Sequence, residues 1–192
     1  MFRVLERLYS ALTLGAVLAL IVVVWYHGAR VTEAYYWGPF FTFLHVLSGI
    51  TWIGLLYYFN LVQTPVMPKI PAELKPGVSK YIAPEALFWF RWSALATIVT
   101  GIIVATLNGY ARDALLLTEP QRTIGTGMWL GIVMAFNVWF IIWPNQKKAL
   151  GIVPVEDAAK ARAARVAMLT SRVNFVLSVP MLYCMVAFRL LG

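Results

Sequence analysis

The chain has 192 residues, of which 61% are hydrophobic and 12% are charged, and its mean hydropathy is +0.75. A soluble domain carries about twice that charged fraction. The composition therefore excludes an ordinary soluble domain and indicates an integral membrane protein. Because the net charge of +8 comes from basic residues beside apolar segments, we assign it to membrane topology and anionic lipids, with no nucleic acid partner.

Five apolar segments follow one another along the chain, and each is close to the roughly 20 residues that a helix needs to cross a bilayer. No convincing cleavage site follows the first segment, so we interpret it as a retained anchor. We predict an all-α bundle of five transmembrane helices that forms a single integral membrane domain over residues 1–192. The predicted spans cover about residues 9–26, 39–62, 87–107, 124–143 and 169–191.

The two longest connections contain helix signals of their own. Five prolines lie between the second and third segments, and one short interfacial helix is expected after Pro71. Before the fifth segment, Glu156 and Asp157 suit the N-terminus of a helix, and the alanines that follow favour a helix continuing into the membrane.

The distribution of basic residues predicts the orientation. Twelve of the sixteen Lys and Arg residues lie before the first segment, or between or at the edges of the second and third segments and of the fourth and fifth. The positive-inside rule then places the N-terminus in the cytoplasm and the C-terminus in the periplasm. We expect a multi-pass protein of the bacterial inner (plasma) membrane.

The second segment carries one of the two histidines in the stretch "LHVLSGITWIGLLYYFN", residues 44–60. On a helical wheel, His45, Ser48, Trp52 and Asn60 fall on one face. Unsatisfied polar groups are costly in lipid, so this stripe is expected to face protein. His45 could join helices by a hydrogen bond, or it could be a haem ligand, a proton carrier or a substrate contact.

Haem b is the cofactor that His45 could bind, whereas the single cysteine, Cys184, cannot form a CxxCH motif and so excludes covalent haem c. A site that uses both histidines is disfavoured, since His27 and His45 differ in predicted depth by about 9 Å. The sequence predicts no site for a free metal ion.

The third and fourth segments also carry polar and small residues that are expected to make specific contacts. Arg91 lies about one turn inside the third segment, where it either extends to the interface or contacts an anion. Asn137 lies near the middle of the fourth segment and is expected to hydrogen-bond to another helix. Two ridges of small residues predict close helix packing: Gly127 with Gly131, and Ser93 with Thr97 and Gly101.

Three blocks of sequence resemble the membrane domain of the cytochrome c-type urate oxidases (membrane-bound urate hydroxylases). They read "LHVLSGITWIGLLYYFNLVQTPVMPKI", "EALFWFRWSALATIVTG" and "FNVWFIIWPNQKK". In that family, a membrane domain is joined to a C-terminal cytochrome c domain that passes electrons from urate to the respiratory chain. Without CxxCH, this chain is expected to lack that domain and its electron exit. The resemblance adds these positions as site residues: His45, Trp52, Asn60, Arg91, Asn137 and Trp139.

Three functions remain open from the sequence. The first is an accessory or structural subunit of a membrane redox or energy-converting complex, packed against other membrane subunits and lipid. The second is an oxidoreductase module that binds haem b or a quinone near His45 and passes electrons to a separate cytochrome c. The third is a small-molecule carrier, which is disfavoured because no inverted repeat or intramembrane acidic residue is present.

The predicted orientation can be tested with reporter fusions. A reporter that requires the cytoplasm should be active when fused near Lys75 or Lys160, and inactive near Arg112 or after Gly192, because basic loops stay in the cytoplasm. Reversed activity at these four sites would contradict the orientation.

Overall fold

The structure is a computed structural model that describes residues 5–191, with side chains to residue 188. This part of the chain is helical, without a β-strand. The principal helices are α1 (Leu8–His27), α2 (Trp37–Tyr57), α3 (Ala83–Leu107), α4 (Ala111–Leu115), α5 (Arg122–Phe136), α6 (Trp143–Ala149) and α7 (Asp157–Leu191).

Within residues 5–191, five continuous helical stretches are long and apolar enough to cross a membrane. The prediction of an all-α fold with five candidate spans is therefore confirmed. These stretches are Leu8–Arg30, Ala34–Lys69, Lys75–Leu107, Arg122–Ala149 and Asp157–Phe188.

Several helices are longer than the apolar segments that predicted them. α7 begins at Asp157, where the acidic residues predicted a helix N-terminus, and runs for 35 residues through Pro180. At 1.5 Å per residue this exceeds the roughly 30 Å hydrocarbon core, so α7 extends beyond it. The short helix expected after Pro71 begins at Lys75 and leads directly into α3, so it does not stand apart.

Three π-helical segments interrupt the spans, and each lies just before a proline. A proline has no backbone N–H to donate, and its ring clashes with the carbonyl four residues earlier. In each segment the first residue of the helix that resumes donates to the carbonyl five residues earlier, as Trp143 does to Val138. The segments are Tyr58–Gln63 before Pro65, Val78–Ile82 before Pro84, and Asn137–Ile142 before Pro144.

The chain forms two compact units, Met1–Phe40 and Phe41–Gly192. In the first unit, no residue of α1 is buried. The second unit contains a hydrophobic core formed by residues of α2, α3, α5 and α7 and of two π-helical segments. Its members are Trp52, Leu56, Phe59, Leu87, Phe90, Ala94, Met134, Ala135, Val138, Ile142, Ala167 and Met181.

Gly127 lets α5 and α7 approach closely. A Cβ atom added there would lie 3.0 Å from Cβ of Cys184 and 3.2 Å from Cε of Met185. Small residues at such positions are typical of membrane helix interfaces. The expectation of close packing at Gly127 is confirmed. At Gly131 the nearest atom would be Cδ1 of Ile98 at 3.8 Å, which is an ordinary contact.

Gly127→Ala should therefore destabilise the bundle, and Gly131→Ala should have a smaller effect. Overpacking of this kind costs about 1–3 kcal/mol. Unfolding of the two variants in mixed detergent, measured by circular dichroism, provides the comparison. Equal stability of the two variants would contradict close packing at Gly127.

Candidate functional site

His45 on α2 is held against α3 by its ring nitrogen Nδ1. Nδ1 lies 2.9 Å from the backbone carbonyl of Thr97 and 3.4 Å from Oγ1 of Thr100. The hydroxyl of Thr100 donates to the carbonyl of Ala96, so it faces Nδ1 as an acceptor. Since a carbonyl oxygen only accepts, Nδ1 must carry the proton. In the neutral ring, Nε2 then carries the lone pair.

Gly101 provides the space for the His45 ring. A Cβ at this position would lie 2.9 Å from Cε1 and 3.1 Å from Nδ1 of His45. Any larger residue would displace the imidazole from the carbonyl of Thr97. Two residues of the predicted ridge on α3, Thr97 and Gly101, thus hold the imidazole of His45 in position.

A cavity of about 690 Å³ lies beside His45, between α2, α3, α5 and α7. This volume is within the usual range for small-molecule sites. The described lining residues include no charged side chain. The polar or sulfur-containing ones are Thr42, His45, Trp52, Thr97, Asn108, Tyr110, Met128, Met181 and Met185.

Nε2 of His45 is the ring atom that a ligand in this cavity could reach. It has no hydrogen-bond partner among the described residues, and it is not one of the fully buried unpartnered atoms. It is therefore accessible. An accessible imidazole nitrogen with a lone pair can coordinate a metal-containing cofactor or accept a hydrogen bond.

The other predicted residues of the α2 stripe separate into different roles. Trp52 lines the cavity and is 1% exposed. Ser48 donates to the carbonyl of Leu44 in its own helix and does not line the cavity. Asn60 donates 2.9 Å hydrogen bonds to the carbonyl of Leu56 and to Oγ of Ser171 on α7. Asn60 thus joins two helices and is not part of the cavity.

Asn137 belongs to a second interhelical connection. Its Nδ2 donates to Oδ1 of Asn174 at 2.8 Å, and Nδ2 of Asn174 donates to the carbonyl of Met134 at 2.9 Å. Asn174 is fully buried, at 0% exposure. The hydrogen bond expected for Asn137 is present.

Arg91 lies in the first half of α3, whereas the α3 residues that line the cavity begin at Thr97, and Trp139 lies in the π-helical segment Asn137–Ile142. The guanidinium carbon of Arg91 is 3.4 Å from the ring centroid of Trp143. The ring of Trp139 makes an edge contact with Trp92, with centroids 5.4 Å apart. The seven predicted residues are therefore not one site. His45 and Trp52 share the cavity, whereas Arg91 and Trp139 each contact a different tryptophan.

Three predicted residues also carry a buried polar atom without a protein partner: Nε1 of Trp52, Nη1 of Arg91 and Nε1 of Trp139. Such atoms are uncommon because each costs desolvation free energy. Their concentration among the predicted residues marks these positions as unusual in the bundle.

Sequence reasoning missed the partners of these residues. Thr100 and Asn174 were not singled out, although each is a polar residue within an apolar segment. The pairing of His45 with α3 depends on how two helices pack, and no spacing within either segment indicates it.

The chain matches no protein-family model, no curated protein and no solved structure. The resemblance to the urate oxidase membrane domain therefore stays a prediction.

The Asn137–Asn174 pair should contribute measurably to stability. A double-mutant cycle with Asn137→Leu and Asn174→Leu should give a coupling free energy of about 0.6 kcal/mol and at most about 1.7 kcal/mol, the range for membrane bundles. Unfolding in mixed detergent measures each variant. Thr106→Val, which removes an exposed hydrogen bond within α3, is the control and should not couple to Asn137. Zero coupling within the asparagine pair would contradict the assigned bond.

Proposed function

We propose that this chain is a subunit of a redox complex in the bacterial inner membrane, and that its cavity at His45 binds the headgroup of a quinol. The observation that supports this proposal most directly is the defined position of the His45 imidazole. The carbonyl of Thr97 accepts a hydrogen bond from Nδ1, and Gly101 leaves room for the ring. Nε2 is accessible beside an apolar cavity. Such an arrangement suits a ligand that is mostly apolar and donates one hydrogen bond.

The protonation of His45 favours the reduced form of the ligand. With its proton on Nδ1, neutral His45 offers a hydrogen-bond acceptor at Nε2. A quinol hydroxyl can donate to that nitrogen, whereas a quinone carbonyl can only accept. The site therefore discriminates between the two redox states through one hydrogen bond.

Haem b fits the residues that line the cavity less well than a quinol does. Nε2 of His45 could ligate its iron, and Met128, Met181 and Met185 line the same cavity. Haem b also carries two propionates, and buried carboxylates need a cation or several donors. None of the described lining residues is Lys or Arg. A neutral quinol makes no such demand.

Membership of a larger complex is supported by two missing motifs for redox groups. Its described residues contain no cluster of metal-binding side chains, and the sequence has no CxxCH motif. Electrons from a quinol would therefore pass to a redox centre on another subunit, of which a separate cytochrome c is the simplest choice. The expected orientation has the N-terminus in the cytoplasm and the C-terminus in the periplasm, as the basic residues indicate.

A purely structural subunit is the second candidate. It is favoured by α1, which has no buried residue, and by the fact that Asn60 and Asn137 join helices. In that case lipid fills the cavity, and His45 contributes only its hydrogen bond to Thr97.

The two functions differ in how the purified full-length chain binds decylubiquinol. We expect His45→Leu to weaken binding about fivefold, since a hydrogen bond contributes about 1 kcal/mol. Gly101→Ala should act in the same direction by displacing the ring. His27→Leu and Gly77→Ala, which lie outside the cavity, are the matched controls. Calorimetric titration measures affinity, and size-exclusion chromatography confirms that each variant is folded.

Each outcome separates the alternatives. Equal affinity of His45→Leu and His27→Leu would contradict the quinol site and leave the structural subunit. An absorption band near 400 nm that His45→Leu abolishes would instead assign haem b to the cavity. The variant His45→Gln, which can still donate to the carbonyl of Thr97, shows whether any loss comes from misfolding.

A further inference from the structure

Two basic side chains lie near the ring of one tryptophan, beside the half of α3 that does not line the His45 cavity. Arg91 on α3 places its guanidinium carbon 3.4 Å from the ring centroid of Trp143, the first residue of α6. Lys147, one turn further along α6, places Nζ 5.5 Å from the same centroid. Both positive groups thus lie within 5.5 Å of the centre of one ring, as in cation–π contacts.

Neither cation has an anionic partner among the described residues. The one ion pair in residues 5–191 joins Arg122 to Glu119. Arg91 donates no hydrogen bond, and its Nη1 is buried without a partner while the side chain as a whole is partly exposed. Glu85, the one acidic residue on α3, accepts from Trp89 instead. An arginine inside a span normally pairs with another group, so its remaining donors call for an external anion.

We infer that Arg91, Trp143 and Lys147 form a binding site for the phosphate group of an anionic phospholipid. A guanidinium presents parallel N–H groups that match two phosphate oxygens, and an ammonium adds a second positive charge. Stacking on Trp143 holds the guanidinium in place before the ligand binds.

The position of the site indicates a lipid as the source of the phosphate. Arg91 lies eight residues into α3 and Lys147 lies in the last turn of α6, at the end of the spans where headgroups meet the protein. Basic pockets between membrane helices on the cytoplasmic side are typical binding sites for anionic headgroups. This end of the bundle is also the one that the basic residues predict to be cytoplasmic.

A second basic feature nearby strengthens the positive potential at this end. A cleft of about 250 Å³ between α6 and α7 is lined by Asn145, Lys148 and Arg162 among others. Because Lys148 follows Lys147 directly, both features draw anionic lipid to the same end of α6.

Binding of dioleoylphosphatidylglycerol to the delipidated full-length chain in detergent tests the site, with native mass spectrometry as the readout. We expect Lys147→Gln to reduce affinity about fivefold, because one basic charge near the membrane surface is lost. Arg91→Lys should reduce it by a similar factor, because an ammonium cannot make the paired contacts of a guanidinium. Arg91→Lys keeps the charge, so its effect reports the planar, stacked geometry. Lys160→Gln removes one charge from an exposed position on α7 and should change affinity little.

Two further probes identify the source of the phosphate. Dioleoylphosphatidylcholine should bind more weakly, because its headgroup has no net negative charge. Inorganic phosphate at millimolar concentration should not displace the lipid, and displacement would overturn the lipid assignment in favour of free phosphate. Equal losses for Lys147→Gln and Lys160→Gln, with no loss for Arg91→Lys, would overturn the site itself, because only the general surface charge would then matter.

Discussion

The hydrocarbon core of a membrane offers no water to polar groups, so every donor and acceptor in the five spans needs a partner within the protein. Most hydroxyl groups meet this demand inside their own helix, as Thr97 does by donating to the carbonyl of Ser93. In the π-helical segments before prolines, the backbone N–H groups of Thr64 and Trp143 each donate to the carbonyl five residues earlier. Asn60, Asn137 and Asn174 meet the demand between helices. The same constraint therefore shapes local backbone geometry and helix association.

Polar atoms that lack a protein partner therefore indicate candidate sites for ligands. His45 satisfies one ring nitrogen and leaves the other accessible beside an uncharged cavity. Arg91 stacks on Trp143 but leaves its donors unpaired. The two places lie on different halves of α3, and they suit different ligands: a neutral hydrogen-bond donor at His45 and an anion at Arg91. One bundle thus combines two chemically distinct candidate sites.

Small residues connect packing to these sites. Gly127 brings α5 against α7, while Gly101 brings the imidazole of His45 against the backbone of α3. In both cases the absence of a side chain determines which atoms can meet. Packing in a membrane depends on such close contacts because lipid provides no hydrophobic drive between helices. Glycine therefore contributes to the candidate site as directly as the histidine does.

By itself, the sequence determined the membrane character, the number of spans and the all-α class, because these depend on composition and on the length of apolar segments. It also indicated His45, Arg91 and Asn137 as polar residues that need partners. Only the tertiary structure decided which partners these are. The carbonyl of Thr97, Asn174 and the ring of Trp143 lie on other helices, and their pairing depends on helix rotation and depth. The π-helical turns at Asn60 and Trp139 likewise rotate side chains away from an ideal helical wheel. For that reason the predicted polar stripe divides: His45 and Trp52 line the cavity, whereas Asn60, which lies within a π-helical segment, joins α7.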